Sequence, residues 1–108
     1  LTKDHSLVND LLDLGTLLSP EQRQRQSHVV MRALGVPRGA EPEVRCVAAV
    51  PGDLFLLCSD GLHGVLADAE MAELLGSADP ELAAERLVWA ALAAGSQDNI
   101  SAVVLRLP

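Results

Sequence analysis

The sequence predicts an α+β fold in which amphipathic helices accompany antiparallel β-strands. Apolar residues recur at helical spacing in two segments, 4–15 and 79–95. Two further apolar runs, 43–50 and 53–58, are separated by a Pro-Gly dipeptide that favours a tight turn, and we expect these runs to pair as a β-hairpin. A chain of 108 residues is the size of one small domain, so at most one hydrophobic core is expected.

The first part of the chain is predicted to contain two helices and a short strand. The helix within 4–15 has polar capping residues at its start and a glycine at its end. A second helix is expected to begin at Pro20, and it should be short and exposed because the Gln/Arg-rich stretch that follows has no apolar face. Segment 28–34 is β-branched at its front and predicts a short strand, before a loop rich in Pro and Gly.

The second part is predicted to contain a central strand, two helices and a final strand. Segment 54–58 is apolar at every position, which is typical of a strand buried on both faces of its sheet. Segment 68–75 resembles a capped helix, and an Asp-Pro pair opens a longer helix whose apolar stripe ends at Gly95. The last segment, 100–107, is again mostly apolar and predicts a strand.

Composition argues against several classes of partner. Fifteen acidic residues against eight basic ones give a net charge of −7, and no Lys/Arg cluster of the kind that binds a phosphate backbone is present, so no nucleic acid is expected. No apolar run approaches the roughly 20 residues of a membrane helix, and no signal peptide is seen, so we expect no membrane partner and a cytoplasmic setting. Cys46 and Cys58 match neither zinc-site nor redox-motif spacing and are expected to be reduced, buried thiols.

Two acidic residues lie at strand boundaries and are candidates for metal binding. Asp60, followed by Gly61, comes directly after the central strand, and Asp98, followed by Asn99, comes directly before the last strand. If these strands are antiparallel neighbours, both carboxylates lie at one edge of the sheet. Rigid elements would there hold oxygen ligands for a metal, and Gly61 would let backbone or solvent approach. The alternative is that Asp-Gly and Asp-Asn are ordinary turn formers.

Other polar side chains near these positions support no catalytic role. A lone loop histidine such as His63 is more often a surface or packing residue than a general acid. Ser59 could be considered as a nucleophile, but nothing in the sequence supplies the oriented base that this role requires.

Residues 53–62, which read DLFLLCSDGL, resemble the signature of the PPM (type 2C) family of metal-dependent serine/threonine protein phosphatases, in which a buried strand delivers a metal-binding Asp. Segments 1–6, 31–35 and 95–100 also resemble that family, in the family's order. Each match is short, but four in register along the chain are specific. Residues 1–108 are therefore identified as a C-terminal portion of one bacterial-type PPM domain.

The resemblance implies a four-layer α-β-β-α sandwich with two antiparallel sheets and a cluster of two or more Mg²⁺ or Mn²⁺ ions at one end. Carried over to this sequence, Asp60 and Asp98 are metal ligands, and Gly61 and Asn99 are in the loops beside them. The family's bridging Asp-Gly pair, its further acidic ligand and its phosphate-binding Arg belong to upstream motifs that this chain lacks. Segment 4–6, Asp-His-Ser, resembles an element that we expect to be structural.

The activity implied is hydrolysis of phosphoserine and phosphothreonine in proteins by a metal-activated water, without a phosphoenzyme. The substrates would be phosphoproteins made by a cognate Ser/Thr kinase. The alternative is a PPM-like regulatory or protein-binding module that has lost catalysis. The chain opens on Leu1 rather than Met, which suggests that a piece is missing upstream. Because half of a binuclear site cannot bind metal tightly, we expect the chain to be inactive alone, and to self-associate or bind the missing N-terminal portion through exposed apolar strands.

Overall fold

Helices and an antiparallel sheet make up this protein, as the α+β prediction required. The structure is a computed structural model that describes residues 1–26, 29–35, 39–76 and 79–108. These residues group into two units, Leu1–Cys46 and Val47–Pro108. No helix in the described ranges is long and apolar enough to span a bilayer.

The first unit contains helices α1 (Leu7–Asp13) and α2 (Pro20–Gln26). Helix α1 begins after Ser6, whose hydroxyl accepts a first-turn backbone N–H at 3.3 Å. Before α2, the backbone N–H of Gln22 donates to the Ser19 hydroxyl at 3.2 Å, and the Gln22 side-chain oxygen accepts the Ser19 N–H at 2.9 Å. This reciprocal pair is a capping box, which confirms the predicted helix start.

The strand predicted over 28–34 is reduced to a single antiparallel bridge in the described residues, between Val30 and Ser6. Backbone hydrogen bonds flank this bridge, and one of them runs from the Met31 N–H to the His5 carbonyl at 2.8 Å. Residue 28 lies outside the described residues. The chain bends and turns directly after Val30, so the pairing cannot extend further.

The second unit contains every other helix and strand of the described residues, which are β1 (Leu54–Cys58), α3 (Asp60–His63), α4 (Asp68–Gly76), α5 (Pro80–Ala93) and β2 (Ala102–Arg106). Helix α5 begins as predicted, with the Asp79 carboxylate accepting two first-turn N–H groups at 3.1 and 3.2 Å.

The predicted hairpin between 43–50 and 53–58 is wrong. Residues 43–50 form no strand and are exposed, and β1 pairs instead with β2, from Leu54↔Arg106 to Cys58↔Ala102. The Pro-Gly turn itself is present, and the Gly52 N–H donates to the Leu107 carbonyl at 3.0 Å, beyond the end of the ladder. A turn signal thus reverses the chain locally but does not select the strand with which β1 pairs.

The core of the second unit lies between the helices and one face of the sheet. Its buried members are apolar: Leu62, Leu66, Met71, Leu87 and Ala91. Alternate sheet residues pack against them while their neighbours face away, since side chains alternate along a strand. On the outward face Leu57, Val103 and Leu105 are 56, 55 and 53% exposed, so the prediction of burial on both faces is wrong for this chain.

The two cysteines have different surroundings. Cys58 lies in β1 and packs, half-buried, against the core, whereas Cys46 is exposed, so only Cys58 approaches the predicted buried state. Neither cysteine forms a disulfide bond in the structure. Cys46 is exposed because the segment that holds it forms no strand.

Candidate functional site

The two predicted acidic positions emerge at the same edge of the sheet. Strands β1 and β2 are antiparallel, and their last pair, Cys58↔Ala102, stands where β1 ends and β2 begins. The loop after β1 leads into Asp60, and the loop before β2 contains Asp98. The prediction that these strands are antiparallel neighbours is therefore confirmed, and the two acid-bearing loops adjoin each other.

Hydrogen bonds from serine hydroxyls join the two loops. The Ser59 hydroxyl donates to the Asn99 carbonyl at 2.9 Å and accepts the backbone N–H of Ser101 at 3.0 Å. The Ser96 hydroxyl donates to the Gly61 carbonyl at 2.7 Å. The backbone N–H of Ser59 also donates to the Ser101 carbonyl at 3.1 Å, which continues the ladder past β1. The loops are thus fixed to each other at several points.

Gly61 is buried where the loops touch. A Cβ at this position would lie 2.4 Å from the Asn99 carbonyl oxygen and 3.0 Å from its carbon. Real Cβ atoms essentially never approach backbone so closely, so only glycine fits without a shift of the chain. The predicted close approach at Gly61 is therefore observed, and the atoms that approach it are backbone atoms of the Asp98-Asn99 loop.

Both acidic residues are exposed, and the Asp98 carboxylate bonds to its own loop. Asp60 is the first residue of α3, and Asp98 accepts the adjacent Asn99 N–H at 2.7 Å. Both side chains thus remain available to a cation from solvent.

The donor set fits a hard divalent cation in part. Carboxylate oxygens are the ligands that Mg²⁺ and Mn²⁺ prefer, and Mg²⁺ is often held by one or two carboxylates plus water or substrate oxygens. However, no group of three or more His, Cys, Asp or Glu side chains in the described part of the chain could hold a metal ion. Asp60 and Asp98 could therefore supply only part of a metal centre.

The remaining polar candidates have structural surroundings. The two partners of the Ser59 hydroxyl are backbone atoms, so no base activates it. In the first unit Ser6 caps α1, and His5 Nε2 lies 3.4 Å from a carboxylate oxygen of Glu43. A hydrogen bond from Arg45 to Glu43 lowers the pKa of that carboxyl. This arrangement agrees with a structural role for segment 4–6.

Sequence reasoning did not identify Ser59 and Ser96 as the residues that join the two loops. The signal that could have found them is proximity in sequence, because Ser59 directly precedes Asp60 and Ser96 lies two residues before Asp98. Small hydroxyl residues beside acidic loop residues often bond to backbone.

Comparison with known proteins gives matches over nearly the whole chain. No family model matches it. The serine/threonine phosphatase stp of Listeria innocua is 35% identical over 107 residues, which are 97% of this chain and 42% of that protein. The chain thus spans less than half the length of this curated relative.

Solved structures of similar sequence share the fold. The PPM Ser-Thr phosphatase MsPP from Mycobacterium smegmatis, in complex with cacodylate, matches with a TM-score of 0.82 and 38% identity, over 100% of this chain and 47% of that one. The catalytic domain of the serine/threonine protein phosphatase PstP, in complex with two manganese ions, matches with a TM-score of 0.77 and 38% identity, over 96% of this chain and 43% of that one. The comparison of sequences and the comparison of structures therefore both find serine/threonine phosphatases.

Proposed function

Because the chain is homologous over nearly its whole length to PPM-family serine/threonine phosphatases, we propose that the intact protein hydrolyses phosphoserine and phosphothreonine in proteins. The observation that carries this proposal is the junction of the Asp60 and Asp98 loops at one edge of the sheet, with both carboxylates exposed. Residues 1–108 would be the C-terminal portion of one such domain.

Asp60 and Asp98 would together hold one of two or more Mg²⁺ or Mn²⁺ ions. The PstP structure contains two manganese ions, which supports a binuclear site in its relatives. Such ions supply a water of lowered pKa and neutralise charge on the phosphoryl oxygens. Hydrolysis would form a bond from the water oxygen to phosphorus and break the bond from phosphorus to the Ser or Thr oxygen, and one proton of the water would pass to the leaving oxygen.

This chain contributes rigidity and charge to that reaction. Asp60 is anchored by α3, whose next residues Gly61 and Leu62 are buried, and Asp98 is anchored by the loop that leads into β2. Rigid elements hold ligands better than mobile loops do, and bonds from Ser59 and Ser96 fix the Asp98 loop to the start of α3. The substrates would be phosphoproteins, made by a cognate Ser/Thr kinase, and the cytoplasmic location stays a prediction.

The direct test is Mn²⁺-dependent hydrolysis of p-nitrophenyl phosphate and of a phosphothreonine peptide. The full-length gene product, its Asp98→Asn variant and this chain alone are compared at equal concentration. We expect only the unmutated full-length protein to turn over, because no group of three or more His, Cys, Asp or Glu side chains in the described part of this chain could hold a metal ion. If no sample is active with any divalent metal, the proposal of an enzyme is rejected in favour of the alternative, a PPM-like regulatory or protein-binding module.

The outward face of the sheet bears on the partner of this chain. Leu57, Val103 and Leu105 form an apolar strip there that the described residues do not cover. A two-stranded sheet is marginal by itself and gains stability when more strands or another layer cover it. We propose that the remainder of the phosphatase domain covers this strip, and that the isolated chain covers it by self-association.

Self-association of the isolated chain is testable by sedimentation velocity. We expect dimers or larger species at micromolar concentration, and a dissociation constant raised about tenfold or more by Leu57→Lys, because that change places a charge in the apolar strip. The matched control is Leu17→Lys, at a residue that is 96% exposed, which should leave the distribution unchanged. A monomeric unmutated chain that unfolds cooperatively would contradict the proposal.

A further inference from the structure

The bonds between the two acid-bearing loops form a small set that we call the serine clasp. It consists of the Ser59 hydroxyl bonded to the Asn99 carbonyl and the Ser101 N–H, and of the Ser96 hydroxyl bonded to the Gly61 carbonyl. Each hydroxyl crosses from one loop to the other, over 35 to 42 residues of sequence. The serine clasp therefore joins two chain segments that are far apart in sequence.

The partner of Ser59 is informative. Ser59 occupies the N-cap position of α3 with the extended backbone typical of a cap, yet its side chain makes no capping bond. A serine at this position ordinarily accepts an N–H from the first turn of its own helix. Here the hydroxyl bonds to the Asn99 carbonyl of the opposite loop instead. Ser59 therefore joins the two loops and does not cap α3 with its side chain.

The positions of the clasp bonds relative to the acids are equally specific. Ser59 directly precedes Asp60 and bonds to the carbonyl of Asn99, which directly follows Asp98. Ser96, half-buried, holds the carbonyl of Gly61, which directly follows Asp60. The clasp thus fixes the backbone on which both carboxylates stand, although it touches neither carboxylate.

We propose that Ser59 and Ser96 are positioning residues for divalent-metal binding, because their bonds fix the backbone beside Asp60 to the backbone beside Asp98, from which both carboxylates would bind one ion. This proposal rests on the proposed function, since it requires a metal at these acids. A ligand pair that is already ordered before the ion arrives loses less freedom on binding, which raises affinity.

The test is a titration of the full-length protein with Mn²⁺. Binding is monitored as the loss of the EPR signal of free Mn²⁺. Ser59→Ala and Ser96→Ala are each expected to weaken Mn²⁺ binding about tenfold, the lower end of the range for residues that support metal ligands. Ser59→Thr and Ser96→Thr keep a hydroxyl and should restore most of the affinity. Thermal melts of each variant show whether it folds.

The matched control is Ser19→Ala, which removes a capping hydroxyl bond in the first unit. It should lower thermal stability and leave the Mn²⁺ affinity unchanged. Equal weakening by Ser19→Ala and Ser59→Ala would overturn the proposal, because general destabilisation would then account for the effect.

Asp60→Asn and Asp98→Asn, measured in the same titration, separate the two proposals. If both weaken Mn²⁺ binding while folded Ser59→Ala and Ser96→Ala bind it normally, the clasp is overturned and the metal site stands. If the Asn variants bind Mn²⁺ as the unmutated protein does, the metal site fails and the positioning role fails with it.

Discussion

Asp60→Asn in the full-length protein is expected to lower Mn²⁺-dependent phosphatase activity by a factor of about 10² to 10³. Metal assistance is worth several kcal/mol of transition-state stabilisation, and each ~1.4 kcal/mol is a tenfold change in rate. The fold should change little, because Asp60 is exposed at the surface. The loss should appear in kcat/KM for a phosphothreonine peptide across a range of Mn²⁺ concentrations.

The matched control for this substitution is Asp68→Asn. Asp68 is also an exposed first residue of a helix, so the two variants make the same chemical change at the same kind of position. Only Asp60→Asn should lose activity, and the two melting temperatures should be similar. Full activity of Asp60→Asn at low Mn²⁺ would remove Asp60 from the metal site.

Gly61→Ala should destabilise the fold by about 2 kcal/mol and weaken metal binding as well. Alanine is intrinsically better than glycine inside a helix by up to ~1 kcal/mol, which opposes the loss. The new Cβ, however, would stand 2.4 Å from the Asn99 carbonyl oxygen. That neighbour is backbone and cannot rotate away, and overpacking of this kind typically costs about 1 to 3 kcal/mol or more, so the clash should outweigh the gain.

Denaturant unfolding of the full-length variants measures this effect, with Gly76→Ala as its control. Gly76 ends α4, and a Cβ built on it meets no atom within 4 Å. The control should be neutral or slightly stabilising, because it gains helix propensity without a clash. Equal stability of the two variants would show that the loops separate without cost at Gly61.

The sequence predicts helix starts in this protein well because the signals are local. The Asp-Pro pair before α5 and the Ser-Pro pair before α2 act within one turn of their own helices. Strand pairing was predicted less well, since β1 pairs with residues 44 to 52 positions later rather than with the segment across the Pro-Gly turn. Burial of the outward sheet face was predicted from the apolar run alone, whereas the described residues leave Leu57, Val103 and Leu105 more than half exposed.

In the candidate site, too, some features could be predicted from the sequence and others could not. The meeting of the Asp60 and Asp98 loops followed from two strand boundaries and an assumed antiparallel pairing, and the structure has that pairing. The bonds of Ser59 and Ser96 could not be predicted, because they end on backbone carbonyls 40 and 35 residues away. No periodicity or propensity indicates such a partner. The role of the acids as metal ligands stays a prediction.

The bond from Ser59 to Asn99 also has a consequence for the order of folding events. The segment between these residues contains the entire buried cluster, from Leu62 to Ala91. Closing a loop of this length has an entropic cost that only the packing enclosed within it can offset. We therefore expect the two acids to come together late in folding, after the helices have docked on β1. A cation that binds both acids would then draw the chain towards the folded state by mass action, and its affinity would report how completely the loop has closed.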